Sequence, residues 1–181
     1  MNGGHARNLR WRYAGVVAAT LIAVAVVSWY FCWGMPTTVL LVRHADRQGT
    51  ADALTAAGTA RAQALAHVME KSGISAIYTS EAARTQQTAA PTASLLGITP
   101  AAVAAADVAG LVATLRTDHS GQKVMVVGHS NTVPQIIAEL GGPAVTIGSA
   151  EYDNLYVLTV CRCRRWGGIG LTNLQYGAAS P

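Results

Sequence analysis

The chain has 181 residues, enough for one compact domain and a short additional segment but not for two full domains. Three of its thirteen basic residues lie among the first twelve, so the remainder is nearly neutral and offers no basic surface for nucleic acid. Its three cysteines indicate no disulfide framework and no metal site, because Cys161 and Cys163 are too close for an unstrained bridge and are expected to be packing residues.

An uncharged apolar segment extends from Tyr13 to Trp33. As a helix it would be about 31 Å long, which matches the hydrocarbon core of a bilayer. We therefore expect residues 13–33 to form a transmembrane anchor. A cleaved signal peptide is the alternative, but bulky side chains at 29–33 stand where cleavage needs small ones. A buried helix would show a polar face, which this segment lacks.

Flanking charges predict the orientation of this segment. Arg7, Arg10 and Arg12 precede it, whereas residues 35–41 carry no charge. By the positive-inside rule, residues 1–12 stay in the cytoplasm and residues 36–181 lie on the other side of the cell membrane. We therefore expect a single-pass signal-anchor protein whose large domain is extracytoplasmic or periplasmic.

Strands and helices alternate from residue 37 onward. Apolar, β-branched runs predict strands at 37–42, 74–79 and 123–127. Helical patterns predict helices at 54–71, at 81–96 with a bend or interruption near Pro91, in the second half of 102–116, and at 132–140. Residues 154–162 and 169–174 predict a hairpin with a turn at 164–168. This order is typical of a three-layer α/β/α sandwich with a mainly parallel sheet.

Four side chains suited to phosphate chemistry follow predicted strands. Arg43 and His44 come after the first strand, Arg84 after the second and His129 after the third. Ligands bind beyond the carboxyl ends of strands in such sheets, so we expect the four to meet. Arginine binds phosphate oxygens in bidentate fashion, and histidine acts as a nucleophile or proton carrier. The set fits phosphoryl transfer better than metal binding, and residues 128–131 lack the second glycine of a serine nucleophile elbow.

Four motifs in this order resemble those of the histidine phosphatase (phosphoglycerate mutase-like) superfamily, in its compact phosphatase branch without a large insertion. They are Arg43-His44-Ala45-Asp46, Leu54-Thr55 with Gly58 and Ala62, the block from Tyr78 to Ala89, and Val127-Gly128-His129-Ser130. The resemblance implies that His44 is the nucleophile that becomes phosphorylated. It also implies a phosphoryl-binding set, made of Arg43, Arg84, His129 and Ser130, and no metal or organic cofactor. The expected activity is hydrolysis of a small phosphorylated substrate, as a phosphoric monoester hydrolase.

The sequence indicates the nucleophile more clearly than the carboxylic acid that would protonate the leaving oxygen. Asp107, the single carboxylate between Arg84 and Asp118, is the first candidate, and Glu81 and then Asp46 follow it. An imidazole leaving from phosphohistidine needs such an acid less than a sugar alkoxide does. The compact core resembles the small phosphohistidine phosphatases, whereas the apolar N-terminal segment resembles that of lipopolysaccharide core heptose phosphate phosphatases. Both substrate classes stay open, while the missing insertions argue against mutase activity.

A different class of function also fits the motifs. A non-catalytic module could bind phosphate or a phosphopeptide through the same arginines and histidines. A binding-only descendant need not keep His44 and His129, so their presence favours catalysis.

Overall fold

A computed structural model describes residues 16–28, 36–161 and 168–180. Residues 16–28 form helix α1, which belongs to a unit of its own and exposes its large apolar side chains. The predicted anchor at 13–33 extends beyond this described helix at both ends, and the predicted cytoplasmic segment lies outside the described residues. No helix within the described ranges is both long and apolar enough to cross a membrane.

The second unit contains a six-stranded sheet. Its strands are β1 (Thr37–Arg43), β2 (Ala76–Ser80), β3 (Ala101–Val103), β4 (Lys123–Gly128), β5 (Asn154–Val160) and β6 (Ile169–Gln175). Their spatial order is β3-β2-β4-β1-β5-β6, with β1 to β4 parallel and with β5 and β6 forming the antiparallel edge. The predicted mainly parallel sheet with a terminal hairpin is confirmed. The short strand β3 was not predicted, because its alanine-rich sequence favours a helix.

Helices cover both faces of the sheet. They are α2 (Ala56–Met69), α3 (Ala83–Leu96), α4 (Val108–Thr117) and α5 (Thr132–Glu139). Alternate residues of β1 face opposite layers, so that Val39 and Leu41 pack in one core with α4 and α5, and Leu40 and Val42 pack in the other with α2 and α3. The predicted three-layer sandwich is therefore confirmed. Pro91 lies inside the single helix α3, so the predicted interruption does not occur.

The first turn of α2 lies directly against the segment that follows β1. Thr55 caps this helix, its Oγ1 accepting a hydrogen bond from the Gly58 amide at 3.1 Å. A Cβ atom at position 58 would overlap the carbonyl oxygen of Asp46, so the close approach requires glycine there. This contact fixes the course of the chain just beyond His44.

The structure describes one of the two cysteines near the end of the chain. Cys161 is a free thiol and is exposed, so it is not the packing residue that the sequence predicted. Cys163 lies outside the described residues, as does most of the predicted turn at 164–168.

Candidate active site

His44 lies immediately after β1, at the carboxyl ends of the parallel strands. Its backbone amide donates to the carbonyl of Gly128 at 2.9 Å, which ties the end of β1 to the end of β4. The residue is 2% exposed. Its Nδ1 lies 2.8 Å from the carbonyl oxygen of Ala45. Because a carbonyl only accepts, Nδ1 carries the proton and Nε2 keeps its lone pair.

The imidazole of His44 is held in its uncharged form. Burial is the main reason that its pKa is lowered to about 4. The positive charges of Arg43 and Arg84 lower the pKa further, whereas the hydrogen bond to Ala45 raises it. Nε2 has no hydrogen-bond partner within the described part of the chain. An unprotonated and unbonded ring nitrogen is the form of histidine that can attack phosphorus.

Arg43 is anchored by a loop before β5. Its Nη1 donates to three backbone carbonyls within 3.0 Å, those of Gly148, Ser149 and Glu151. Its guanidinium carbon lies 4.0 Å from the ring centre of Tyr152, and the same ring lies 5.9 Å from that of His44. These partners are neutral, so they orient Arg43 without neutralising its charge.

The end of the chain supports this loop. Ser180 Oγ donates to the Asp153 carboxylate at 2.8 Å and accepts from the Tyr152 amide at 2.8 Å. Arg61 Nη1 donates to the carbonyl of Ala178 at 2.6 Å, and its Nε donates to the Asp46 carboxylate at 2.6 Å. Residues 176–180 are thereby tied both to the loop that holds Arg43 and to the segment after His44.

Arg84 and His129 contact each other beside His44. Arg84 Nη2 lies 3.3 Å from His129 Nδ1, and His129 Nε2 lies 2.9 Å from Ser80 Oγ. Arginine only donates, so Nδ1 accepts from Arg84 and Nε2 donates to Ser80. The two histidine rings are 5.5 Å apart. Burial, and then the charge of Arg84, lower the pKa of His129.

A carboxylate also binds Arg84. Asp52 accepts from Arg84 Nη1 at 2.5 Å and from the Ala83 amide at 3.1 Å. The hydrogen bond from Ala83 is the largest cause of its lowered pKa, and Arg84 adds to it. The exposed Asp52 therefore occupies the first turn of α3, where an anion would otherwise bind.

The candidate acids do not hydrogen-bond to these four residues. Asp107 caps α4 by accepting from a first-turn amide at 2.9 Å. Glu81 accepts from the Ala105 amide, and hydrogen bonds from its own amide and from Ala105 lower its pKa. Burial, the largest single effect, raises the pKa of Asp46, but hydrogen bonds from Arg61 and from its own amide, together with the charges of Arg61 and Arg43, lower it overall. None of these carboxyl groups is placed as a proton donor to a leaving group.

The structure thus brings together Arg43, His44, Arg84 and His129, as predicted. Ser130 follows His129 in the turn before α5 and is half-buried. The sequence motifs do not include Tyr152 or Asp52, which lie against Arg43 and Arg84.

Two arginines and two histidines at the carboxyl ends of a parallel sheet indicate a phosphoryl-binding α/β protein. The family model of the histidine phosphatase superfamily (branch 1) matches residues 39–107. The motifs, this match and the fold bear out the predicted resemblance of the chain to that superfamily. No curated protein matches the chain by sequence.

Solved structures share the fold at low identity. A mycobacterial glucosyl-3-phosphoglycerate phosphatase superposes with a TM-score of 0.60 and 17% identity, covering 78% of this chain and 99% of its own. A mycobacterial hydrolase superposes with a TM-score of 0.57 and 18% identity, covering 80% of this chain and 99% of its own. The protein histidine phosphatase SixA, complexed with tungstate, superposes with a TM-score of 0.55 and 19% identity, covering 76% of this chain and 96% of its own. At these identities the likeness shows the fold alone.

Proposed function

We propose that the chain is a phosphatase that hydrolyses a phosphomonoester or a phosphohistidine through a phosphohistidine intermediate on His44. The observation that carries this proposal is the uncharged His44, whose Nδ1 is bonded to Ala45 and whose Nε2, beside two arginines, has no partner among the described residues. Two proteins that share the fold are phosphatases by name, one acting on glucosyl-3-phosphoglycerate and one on protein histidine, which supports hydrolysis.

The geometry supports a two-step reaction. The phosphoryl group binds Arg43 and Arg84, displacing Asp52 from the latter, and Nε2 of His44 attacks phosphorus as the bond to the leaving group breaks. The new phosphoimidazole carries a positive charge, which the hydrogen bond from Nδ1 to Ala45 stabilises. Water then attacks the phosphorus, releases inorganic phosphate and returns His44 to its neutral form. The described residues contain no cluster of three potential metal ligands, and the proposed steps use no cofactor.

The leaving group should depart without help from a carboxylic acid. Glu81 and Asp46 have lowered pKa values, and Asp107 is occupied as a helix cap. A general acid typically contributes about 10²–10⁴ in rate, which an alkoxide needs more than an imidazole or phenolate does. Phosphohistidine and aryl phosphates are therefore expected to react faster than alkyl phosphates.

The test is phosphatase activity of the full chain, purified in mild detergent, with p-nitrophenyl phosphate. His44→Ala should lower kcat by at least about 10³-fold, since removal of a nucleophile from a hydrolase has effects of that order or larger. His67→Ala is the matched control, because the His67 side chain is 87% exposed on α2. Acid quenching of the wild type should trap an acid-labile phosphoenzyme that His44→Ala lacks.

A non-catalytic phosphate-binding module remains the competing function. It predicts that wild type and His44→Ala are equally inactive while both still bind inorganic phosphate, as measured by calorimetry. That result would reject the phosphatase proposal in favour of a binding module.

We also propose that the domain lies outside the cytoplasm, anchored through residues 13–33. The uncharged apolar segment and the arginines before it support this placement. A reporter enzyme that works only outside the cytoplasm, fused after Pro181, should be active in cells. A silent reporter, with a cytoplasm-specific one active at the same position, would overturn the proposed topology.

A further inference from the structure

Strand β6 forms one edge of the six-stranded sheet. It pairs with β5 along its whole length, from Gln175 opposite Asn154 to Ile169 opposite Val160. Within the described residues, no strand pairs with its outer side. The backbone N–H and C=O groups along that side are therefore available to a further strand. The opposite edge offers much less, because β3 has three residues whereas β6 has seven.

The sequence of β6 has none of the features that usually protect an edge strand. Residues 169–175 include no charged residue and no proline, and their one-to-one pairing with β5 leaves no bulge. The second unit exposes four large apolar side chains in its described ranges, and two of them lie on β6, Ile169 at 37% and Leu174 at 48%. A long, uncharged and partly apolar edge is typical of a strand that pairs with another chain.

Strand β6 is complementary to an antiparallel copy of itself. A two-fold axis at Thr172 pairs all seven residues, whereas any shifted register leaves some of them unpaired. Thr172 then lies opposite Thr172 of the partner subunit, and such cross-strand threonine pairs are favourable. Leu174 lies opposite Gly170 of the partner subunit. A Cβ atom at position 170 would meet no atom closer than 4.0 Å, so the exposed leucine of each copy has space over the glycine of the other.

We propose that two copies of this chain form a dimer by antiparallel pairing of their β6 strands, so that the two sheets become one continuous sheet. A second copy is the partner that this edge fits best, because the leucine and the glycine complement each other twice about one axis. Neither β5 nor β6 carries a charge, so identical copies do not repel each other there. Two-fold dimers are also the commonest symmetric assemblies of soluble proteins. The proposed dimer does not depend on the proposed activity.

A charge placed on the two-fold axis tests the proposal. Light scattering of the full chain in mild detergent gives the protein mass as a function of concentration. The wild type should reach about twice the 18.8 kDa of one chain. Thr172→Lys and Thr172→Glu should each raise the dissociation constant of the dimer at least about fivefold, because like charges then lie directly opposite each other. An equimolar mixture of the two variants should restore the dimer, since opposite charges then meet at the axis.

Thr59→Lys and Thr59→Glu are the matched controls. Thr59 is exposed on α2 and is not part of β6, so neither control should change the dissociation constant. Circular dichroism of all four variants should match that of the wild type. Recovery of the dimer in the mixture excludes unfolding as the reason that each Thr172 variant dissociates, because unfolded chains would not pair again.

Three results would overturn the proposal. A wild type that remains a monomer at every concentration would show that the edge does not pair. Dimers that persist unchanged in both Thr172 variants would show that the copies associate elsewhere, for example through residues 13–33. A mixture that dissociates as readily as either variant alone would show that Thr172 does not lie opposite its counterpart.

Discussion

Acid is expected to destabilise this protein through His44. Burial holds the pKa of this side chain at about 4, whereas an unfolded chain has a histidine pKa of about 6.5. The folded state therefore resists protonation, and the unfolded state takes up the proton first as pH falls. The stability that neutral His44 contributes is complete above about pH 6.5 and is lost as pH falls towards 4. A tenfold change in proton affinity is worth about 1.4 kcal/mol, so the loss amounts to about 3 kcal/mol.

His44→Asn isolates this contribution, because asparagine keeps an N–H that can donate to Ala45. Urea unfolding, followed by circular dichroism in phosphate-free buffer, gives the free energy of unfolding at about pH 7 and about pH 4.5. Carboxylates such as Asp153 also lose stabilising interactions in acid, but they do so equally in both proteins. Between the two pH values, the wild type should lose about 2.4 kcal/mol more than the variant, since part of the full loss falls below pH 4.5.

The exposed His67 supplies the control for this experiment. His67→Asn should lose as much stability in acid as the wild type does, because its side chain is 87% exposed. Equal acid losses in wild type and His44→Asn would refute the reasoning. They would mean that His44 titrates near its ordinary pKa and that its uncharged state is not imposed by burial.

Three further substitutions test contacts around the site. Arg61→Met leaves a partly buried carboxylate unpaired and should lower the free energy of unfolding in urea by about 2–3 kcal/mol; an unchanged value would show that the ion pair is without net effect. Asp52→Asn frees Arg84 and should lower the inhibition constant of inorganic phosphate; a constant equal to that of the wild type would show that the carboxylate does not compete with anions. Ser80→Ala removes the partner of His129 and should lower kcat about fivefold, the worth of one neutral hydrogen bond; a wild-type kcat would remove Ser80 from the positioning of His129.

The central residues of the site were predictable because few physical rules determine them. Parallel strands end at the same edge of a sheet, so Arg43, His44, Arg84 and His129 had to meet once three strands were recognised. The first strand was recognisable because β1 has an apolar run at residues 39–42 that is buried on both faces of the sheet. The position of Asp107 along the chain made it a candidate acid, but its carboxylate accepts from the glycine amide three residues later and caps a helix.

The surroundings of these residues were not predictable, for reasons of tertiary packing. The carbonyls that hold Arg43 come from residues 148–151, and a carbonyl has no signature in the sequence. Asp52 reaches Arg84 only because its loop closes through a backbone bridge between Arg47 and Leu54. Strand β3 pairs with β2 despite its alanine-rich sequence, since neighbouring backbone groups at a sheet edge outweigh a weak helical preference.

The tie between residues 176–180 and the loop that holds Arg43 has a consequence for folding. A partly folded chain that contains β1 to β4 already has His44, both arginines and His129, but it lacks the carbonyls and Tyr152 that orient Arg43. Contacts between such distant parts of a chain form late, because closing long loops is slow. Enzymatic turnover should therefore return together with the last cooperative step of refolding, and it would report the completion of the whole domain.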